Sequence, residues 1–255
     1  MENIESKEEE LDSKNIVKAE ASIVEVSKPQ KVINIALAPI SGLIWGFDKI
    51  NDFLNEKLEE KLKNVPEENI ITPDPHVVGP ALESLRFTGN NEELREMFAN
   101  LIANSMDVKT VTKAHPGFVE IIKNLTSDEG LILKSFMPNE YEPIIDAKLK
   151  IKVGDGGEHN LLENYSLLGK KANCKHQKLV PNYIDNLCRL GLLQIPSGRH
   201  IVGKNAYDKL IETSEFKAFQ KQHESEHTTV VIHKKYIALT NLGVLFREAC
   251  IIDKK

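Results

Sequence analysis

What this sequence has little of narrows it first. There are three cysteines in 255 residues, Cys174, Cys188 and Cys250, with no CxxC or zinc-finger spacing. That excludes a disulfide-stapled scaffold and fits a reducing compartment. No GxxxxGK(S/T), no GxGxxG after a strand and no GxSxG occurs, which removes the P-loop, dinucleotide-binding and α/β-hydrolase classes. Aromatic residues are only 6% of the chain, with one tryptophan. The 41% hydrophobic and 28% charged content excludes wholesale disorder, collagen-like repeats and a polytopic membrane protein. The net charge of −5 argues against global nucleic-acid binding but is unevenly spread. From Leu162 onward there are 15 Lys+Arg and 9 Asp+Glu, leaving 18 and 29 in residues 1–161, a division that suggests two modules.

Residues 1–30 are acidic, aromatic-poor and without sustained periodicity, and read as a disordered arm. They contain no basic segment leading into an apolar run, so no secretory signal is expected and the protein is expected in the cytoplasm. Val32–Phe47 then carries no charge at all. As a helix these residues rise about 24 Å, short of the roughly 30 Å hydrocarbon core. Extending the span would bury Asp48, Lys49 and Asp52, at about 2.5–3.5 kcal/mol per central charge. Yet Ala38, Gly42 and Gly46 recur every four residues, the small-residue spacing that lets helices approach closely in lipid. Trp45 stands near the polar boundary, where an indole suits the headgroup level. Two readings follow. One is a helix buried against the rest of the protein; the other is a membrane-active, self-associating segment built on Ala38, Gly42, Leu43, Ile44, Trp45, Gly46 and Phe47. Residues 31–65 are expected to run from this apolar stretch into an amphipathic helix with Ile50, Phe53, Leu54, Leu58 and Leu62 on one face. Pro66, Pro73, Pro75 and Pro80 predict an extended connector.

Residues 66–137 read as a helical bundle. Asn90 with Glu93 resembles a capping box, followed by the stripe Leu94, Met97, Phe98, Leu101, Ile102 and Ser105. His115–Pro116 opens a second helix, and Thr126 with Glu129 caps a third. After Pro138 the period changes: Ala147, Leu149, Ile151 and Val153 alternate as in a strand, and Gly154–Gly157 reads as a turn. Helices are expected near Leu161–Leu168, Pro181–Leu190 and Tyr207–Phe219. Strands are expected at Leu192–Ile195, Val230–His233 and Tyr236–Leu239, and a last helix from Asn241 to Cys250. The whole predicts an α+β, mainly α protein, in which an N-terminal helical region precedes a winged-helix-like α/β domain over 138–255.

The runs KLEEKLKNVPEENI (57–70), VGPALESLRFT (78–88), NNEELREMFANLIANSMD (90–107) and AHPGFVEIIKNLTSDEGLIL (114–133) resemble the abortive-infection alpha (Abi-alpha) family, over roughly residues 32–250. The resemblance implies a bacterial cytosolic protein of phage defence, and it supplies no catalytic residues. On that basis the expected function is non-enzymatic defence. The protein would sense a phage-derived or host protein and act through homo-oligomerisation, with membrane disruption by the apolar segment on activation. No cofactor is expected.

Two further motifs compete with this reading. His223, Glu224 and His227 spell HExxH, which on a helix lets two histidines share zinc while the glutamate activates water. The surrounding KQHESEHTT has no apolar face and passes at once into β-branched residues, so the match reads as a polar loop and not an enzyme. Lys170, Lys171, Lys175 and Lys178, with Arg189 on the following helix, form a basic run that fits phosphate contacts, and nucleic acid is the alternative partner. Asp107 and the other acids of the bundle read as capping and solvated residues, and Cys174 with His176 as a surface pair.

Overall fold

The first long helix starts where the charge-free run stops. Helix α1 covers Phe47–Leu62 and lays Ile50 and Leu54 into the core, with Phe53 and Leu58 packed beside them. The computed structural model describes residues 43–152 and 157–254, so Val32–Gly42 of the apolar run and most of the Gly154–Gly157 turn lie outside the described residues. The compact unit containing the fold runs from Trp45 to the C-terminal end.

Helix α2 covers Pro75–Thr88, and this corrects the expected connector. Pro75 occupies the first turn, where a missing N–H costs nothing, and Asp74 caps the helix by accepting from the His76 N–H at 2.8 Å. Pro80 lies inside the same helix. Helix α3 (Glu92–Ser105) is capped by Asn91, not Asn90. The reason is tertiary: the Asn90 side chain is taken by the Trp45 indole, whose Nε1–H donates to Asn90 Oδ1 at 2.8 Å. The expected stripe on α3 is buried, and so are Asn100 and Asn104, because neighbours cover this helix on more than one side. Helices α4 (Gly117–Lys123) and α5 (Ser127–Ser135) follow. The Thr126–Glu129 capping box forms in both directions, at 3.3 and 2.6 Å.

The sheet is antiparallel, in the order β2-β1-β4-β3. Its strands are β1 (Glu142–Ile151), β2 (Glu158–Tyr165), β3 (Leu193–Gln194) and β4 (Thr228–Leu239). Two expectations change here. The helix expected near Leu161–Leu168 is strand β2 followed by the short helix α6 (Leu168–Lys171), since the edge of β1 pairs with it from Ile145 to Lys150. The two strands expected at 230–239 are one continuous strand. Its middle is held against β1 by the Lys235–Asp146 ion pair at 2.7 Å.

Helix α7 (Val180–Arg189) leads through Gly191, at φ +73°, into β3. The segment between β3 and β4 carries α8 (Asp208–Ile211) and α9 (Ser214–His223), and β3 meets β4 at only two residue pairs. After β4, α10 (Asn241–Phe246) runs into a π turn over Arg247–Ile251. Gly243 allows α10 to press on the Leu192 carbonyl, where a Cβ would collide. One hydrophobic cluster extends from Trp45 to Ile251 and includes Ile144 and Ile237 of the sheet. The change from helices to strands near residue 138 is therefore crossed by a continuous core. A second cluster (Ile145, Ala147, Tyr207, Leu210, Phe216 and Val230) seats α8 and α9 on the sheet.

Candidate functional site

Ala38 and Gly42 lie outside the described residues. Gly46 has extended backbone (φ −73°, ψ 167°) as the N-cap of α1, and Ile44 and Trp45 are also non-helical. Gly46 therefore does not continue a helical small-residue stripe. Trp45 is buried, 5% exposed, which corrects its expected position at a lipid headgroup level. Its N–H donates to the Arg86 carbonyl at 2.9 Å, its ring meets Phe53 edge-on with centroids 5.6 Å apart, and Lys49 lies 4.5 Å from the ring centroid. Gly89 makes the seat, because a Cβ there would overlap the indole. Leu43 and Phe47, on either side, are exposed. Among the described residues no helix is long and apolar enough to cross a membrane.

The basic run is only partly cationic. Lys170 pairs with Glu215 at 3.2 Å, and Lys171 sits between Glu140 (2.7 Å) and Glu142. Burial opposes the Lys171 charge, but the two carboxylates outweigh it and raise its pKa. Arg189 turns back along α7 to Asn186 Oδ1, at 3.0 and 2.7 Å. Lys175 and Lys178 are exposed.

The HExxH spacing does not become HExxH geometry. Helix α9 ends at His223, and Glu224 is already extended (ψ 139°), so His227 is not one helical turn above His223. His223 Nδ1 lies 2.8 Å from the Phe219 carbonyl, and Glu224 Oε1 accepts from Gln220 at 3.0 Å. Among the described residues no group of three or more His, Cys, Asp or Glu is placed to hold a metal ion.

One charged cleft is announced by no linear motif. A cleft of about 250 Å³ lies between α1, α3, α5 and the C-terminal residues, lined by charged groups that include Lys57, Glu92, Glu93, Glu96, Lys134 and Asp253. Lys57 reaches Glu96 at 3.0 Å, while Lys61 reaches Glu96 at 3.4 Å and Asp253 at 3.1 Å. The Glu96 hydrogen bond raises the Lys57 pKa against the effect of burial. Burial pushes Asp253 up, but the Lys61 ammonium more than compensates and lowers it. The floor is formed by Cys250 and Ile251 of the π turn and by Asn100. The helix ends at Ile251, so its last carbonyls have no donor within the helix and are satisfied from outside. Asn100 Nδ2 donates to Cys250 O at 3.1 Å, and Asn104 Nδ2 to Ala249 O at 2.9 Å. Gly130 gives the close wall, because a Cβ there would press on the end of Met97.

Two of the acids expected to be capping or solvated residues are buried. Asp107 accepts the Lys254 ammonium at 2.6 Å and the Lys109 N–H at 2.9 Å. Asp128 accepts the N–H groups of Lys175 and His176, both at 2.8 Å, and the Tyr183 hydroxyl at 3.2 Å. Burial opposes both charges, yet these donors lower both pKa values. The same arrangement buries Cys174, so it is no surface partner of His176.

The family model described as abortive infection alpha matches residues 46–250. No curated protein matches the chain. Among solved structures, an uncharacterized protein from the hydrocarbon-degrading marine bacterium Alcanivorax borkumensis SK2 is similar over 48% of this chain and 83% of its own. The two share 18% identity, with a TM-score of 0.33.

Proposed function

This chain belongs to the abortive infection alpha family, and from that premise we propose that it is a bacterial anti-phage defence protein that works without catalysis. A phage-derived or host protein triggers it, and the apolar run ahead of Trp45 acts by self-association and membrane disruption. The observation that carries this reading is the boundary at Ile44/Trp45. The compact unit begins at a buried, hydrogen-bonded tryptophan, and the charge-free residues precede it. A segment too short to span a bilayer alone needs clustering, which brings its small residues into use.

The test is a phage challenge with a membrane-potential dye, comparing wild type, a deletion of residues 32–42 and Gly42→Leu. The expected result is depolarisation and protection by wild type, with both lost in the deletion and reduced in Gly42→Leu. Full protection by the deletion variant removes the apolar run from the mechanism.

The alternative, a winged-helix-like nucleic-acid-binding or regulatory module, is supported by the exposed Lys175 and Lys178 ahead of α7. It predicts retardation of DNA or RNA at low salt that Lys175→Glu/Lys178→Glu abolishes. No retardation rejects it.

A further inference from the structure

The pairing of β4 with both its neighbours brings two of the chain's five tyrosines and an arginine to one end of the sheet. Tyr141 precedes β1, and Tyr236 of β4 stands opposite Pro143, so the two rings meet edge-on, with centroids 5.0 Å apart and planes at 79°. On the other flank Gln194 of β3 pairs with Ala238, and the chain just beyond it carries Arg199. With Asn241, at the start of α10, these residues line a cleft of about 520 Å³. An edge-on pair leaves at least one ring with both faces clear of the other, and Tyr141 is 56% exposed. Among the described residues the two tyrosine hydroxyls, the side-chain amides of Gln194 and Asn241 and the Arg199 guanidinium have no hydrogen-bond or ion-pair partner within the protein. Glu140, the carboxylate in this lining, is already committed. It pairs with Lys171 at 2.7 Å and accepts the Met137 N–H at 2.8 Å. The uncompensated charge of the cleft is therefore the positive one of Arg199.

We propose that this cleft binds a nucleotide, with its base stacked on Tyr141 and its phosphate on the Arg199 guanidinium. Stacking on a tyrosine suits every base, because every base has a π face. The planar arginine fork matches phosphate oxygens two at a time. The unengaged amides of Gln194 and Asn241 add the paired donors and acceptors that read a base edge. Simpler ligands leave part of the cleft without a use. A bare phosphate ignores the tyrosine pair, and a neutral sugar gives Arg199 no counter-charge. An organic cation is repelled by the arginine, and among the described residues no ligand set for a metal converges. The volume lies within the roughly 300–1,000 Å³ of small-molecule sites. The nucleotide is either free or one unit of a single strand that places a base in the cleft. The site uses neither the apolar run nor Lys175 and Lys178, so its failure is separable from the failure of either reading above.

The experiment is isothermal titration calorimetry on the purified full chain. The probes are the common nucleoside 5′-monophosphates, the matching nucleosides without phosphate, ribose 5-phosphate without a base, and a short single-stranded DNA. Saturable binding of a monophosphate, or of the DNA alone, is expected, and whichever binds identifies the source of the nucleotide. Ribose 5-phosphate should bind about tenfold more weakly, because it lacks the stacked base. Tyr141→Ala and Arg199→Gln should each weaken binding about tenfold. Both side chains are exposed, so both variants are expected to fold. Tyr141→Phe keeps the ring and should keep the affinity. Glu226→Gln, at an exposed acid ahead of the opposite end of β4, leaves it unchanged. The proposal is overturned if neither a monophosphate nor the DNA binds at millimolar concentration. It is equally overturned if ribose 5-phosphate or a nucleoside binds as tightly as the nucleotide, or if either Tyr141→Ala or Arg199→Gln leaves the affinity intact. DNA binding that resists both changes and is abolished by Lys175→Glu/Lys178→Glu supports the alternative reading and overturns this one.

Discussion

The Lys254 ammonium lies 2.6 Å from Asp107 Oδ2, with both side chains almost wholly buried at 9% and 6% exposure. The pair ties the C-terminal residues to the turn after α3, and Lys254 Nζ also reaches Thr110 Oγ1 at 2.8 Å. Removing one partner of a buried pair leaves an uncompensated charge, so Lys254→Met is expected to cost about 3–5 kcal/mol in denaturant unfolding. The effect depends on pH with a definite sign. The folded-state pKa of Asp107 lies below its ordinary 3.8, so its contribution is present above that value and is lost as pH falls through the lower folded pKa. The gap between wild type and Lys254→Met should shrink as pH falls below 3.8, where Asp107 of the unfolded chain takes up its proton while the folded, paired carboxylate still resists it. A gap constant down to pH 2 contradicts the ion pair.

Asp128 connects α5 to the segment that enters α7. Asp128→Ala strands two N–H groups and a tyrosine hydroxyl and is expected to destabilise the protein by about 3 kcal/mol. Asp128→Asn retains one acceptor and should cost less. The two variants with equal Tm values would show that the three donors find water at no cost.

The parts of this fold that were legible in the sequence are those decided within one turn of chain. The Thr126–Glu129 box and the α3 stripe needed no partner to be recognised. Strand β2 was not legible, because the Leu161–Leu162 doublet fits either period and only pairing with β1 decides it. Asn90 lost its capping role to a tryptophan 45 residues earlier. His223–His227 kept its spelling and lost its geometry because α9 stops at the first histidine. The charged cleft was invisible for a simpler reason. Lys57, Glu93, Asn100, Lys134 and Asp253 come from four separate segments, and tertiary packing alone brings them together.

The thiols are expected to be unreactive in the folded protein. Burial first, and then the Asp128 charge, pushes Cys174 up to about 11; burial does the same to Cys188, also about 11, and raises Cys250 well above the ordinary thiol value. Since the thiolate is the nucleophile, iodoacetamide at neutral pH should label the half-buried Cys188 slowly, Cys174 more slowly and Cys250 least. Denaturant should expose all three at once. Mass spectrometry of native protein showing rapid labelling of Cys174 would contradict the packing of its loop on Asp128.

Trp45 is the only tryptophan, so the protein's indole fluorescence reports one junction. In the folded state the ring is enclosed by Phe53, Gly89 and the Asn90 hydrogen bond, which predicts blue-shifted emission poorly quenched by acrylamide. Trp45→Ala empties that seat and is expected to cost about 3–5 kcal/mol, with loosening of the start of α1. Gly89→Ala tests the same contact from the other side, because its methyl group displaces the ring without removing it. Its emission should shift to the red and its quenching rise while the rest of the fold is kept, as judged by far-ultraviolet circular dichroism. If the apolar run acts when this junction opens, Gly89→Ala should also lower the trigger level needed for depolarisation in cells. An unchanged threshold in a variant with a visibly displaced indole would uncouple the junction from activation, leaving Trp45 as an anchor of the compact unit alone.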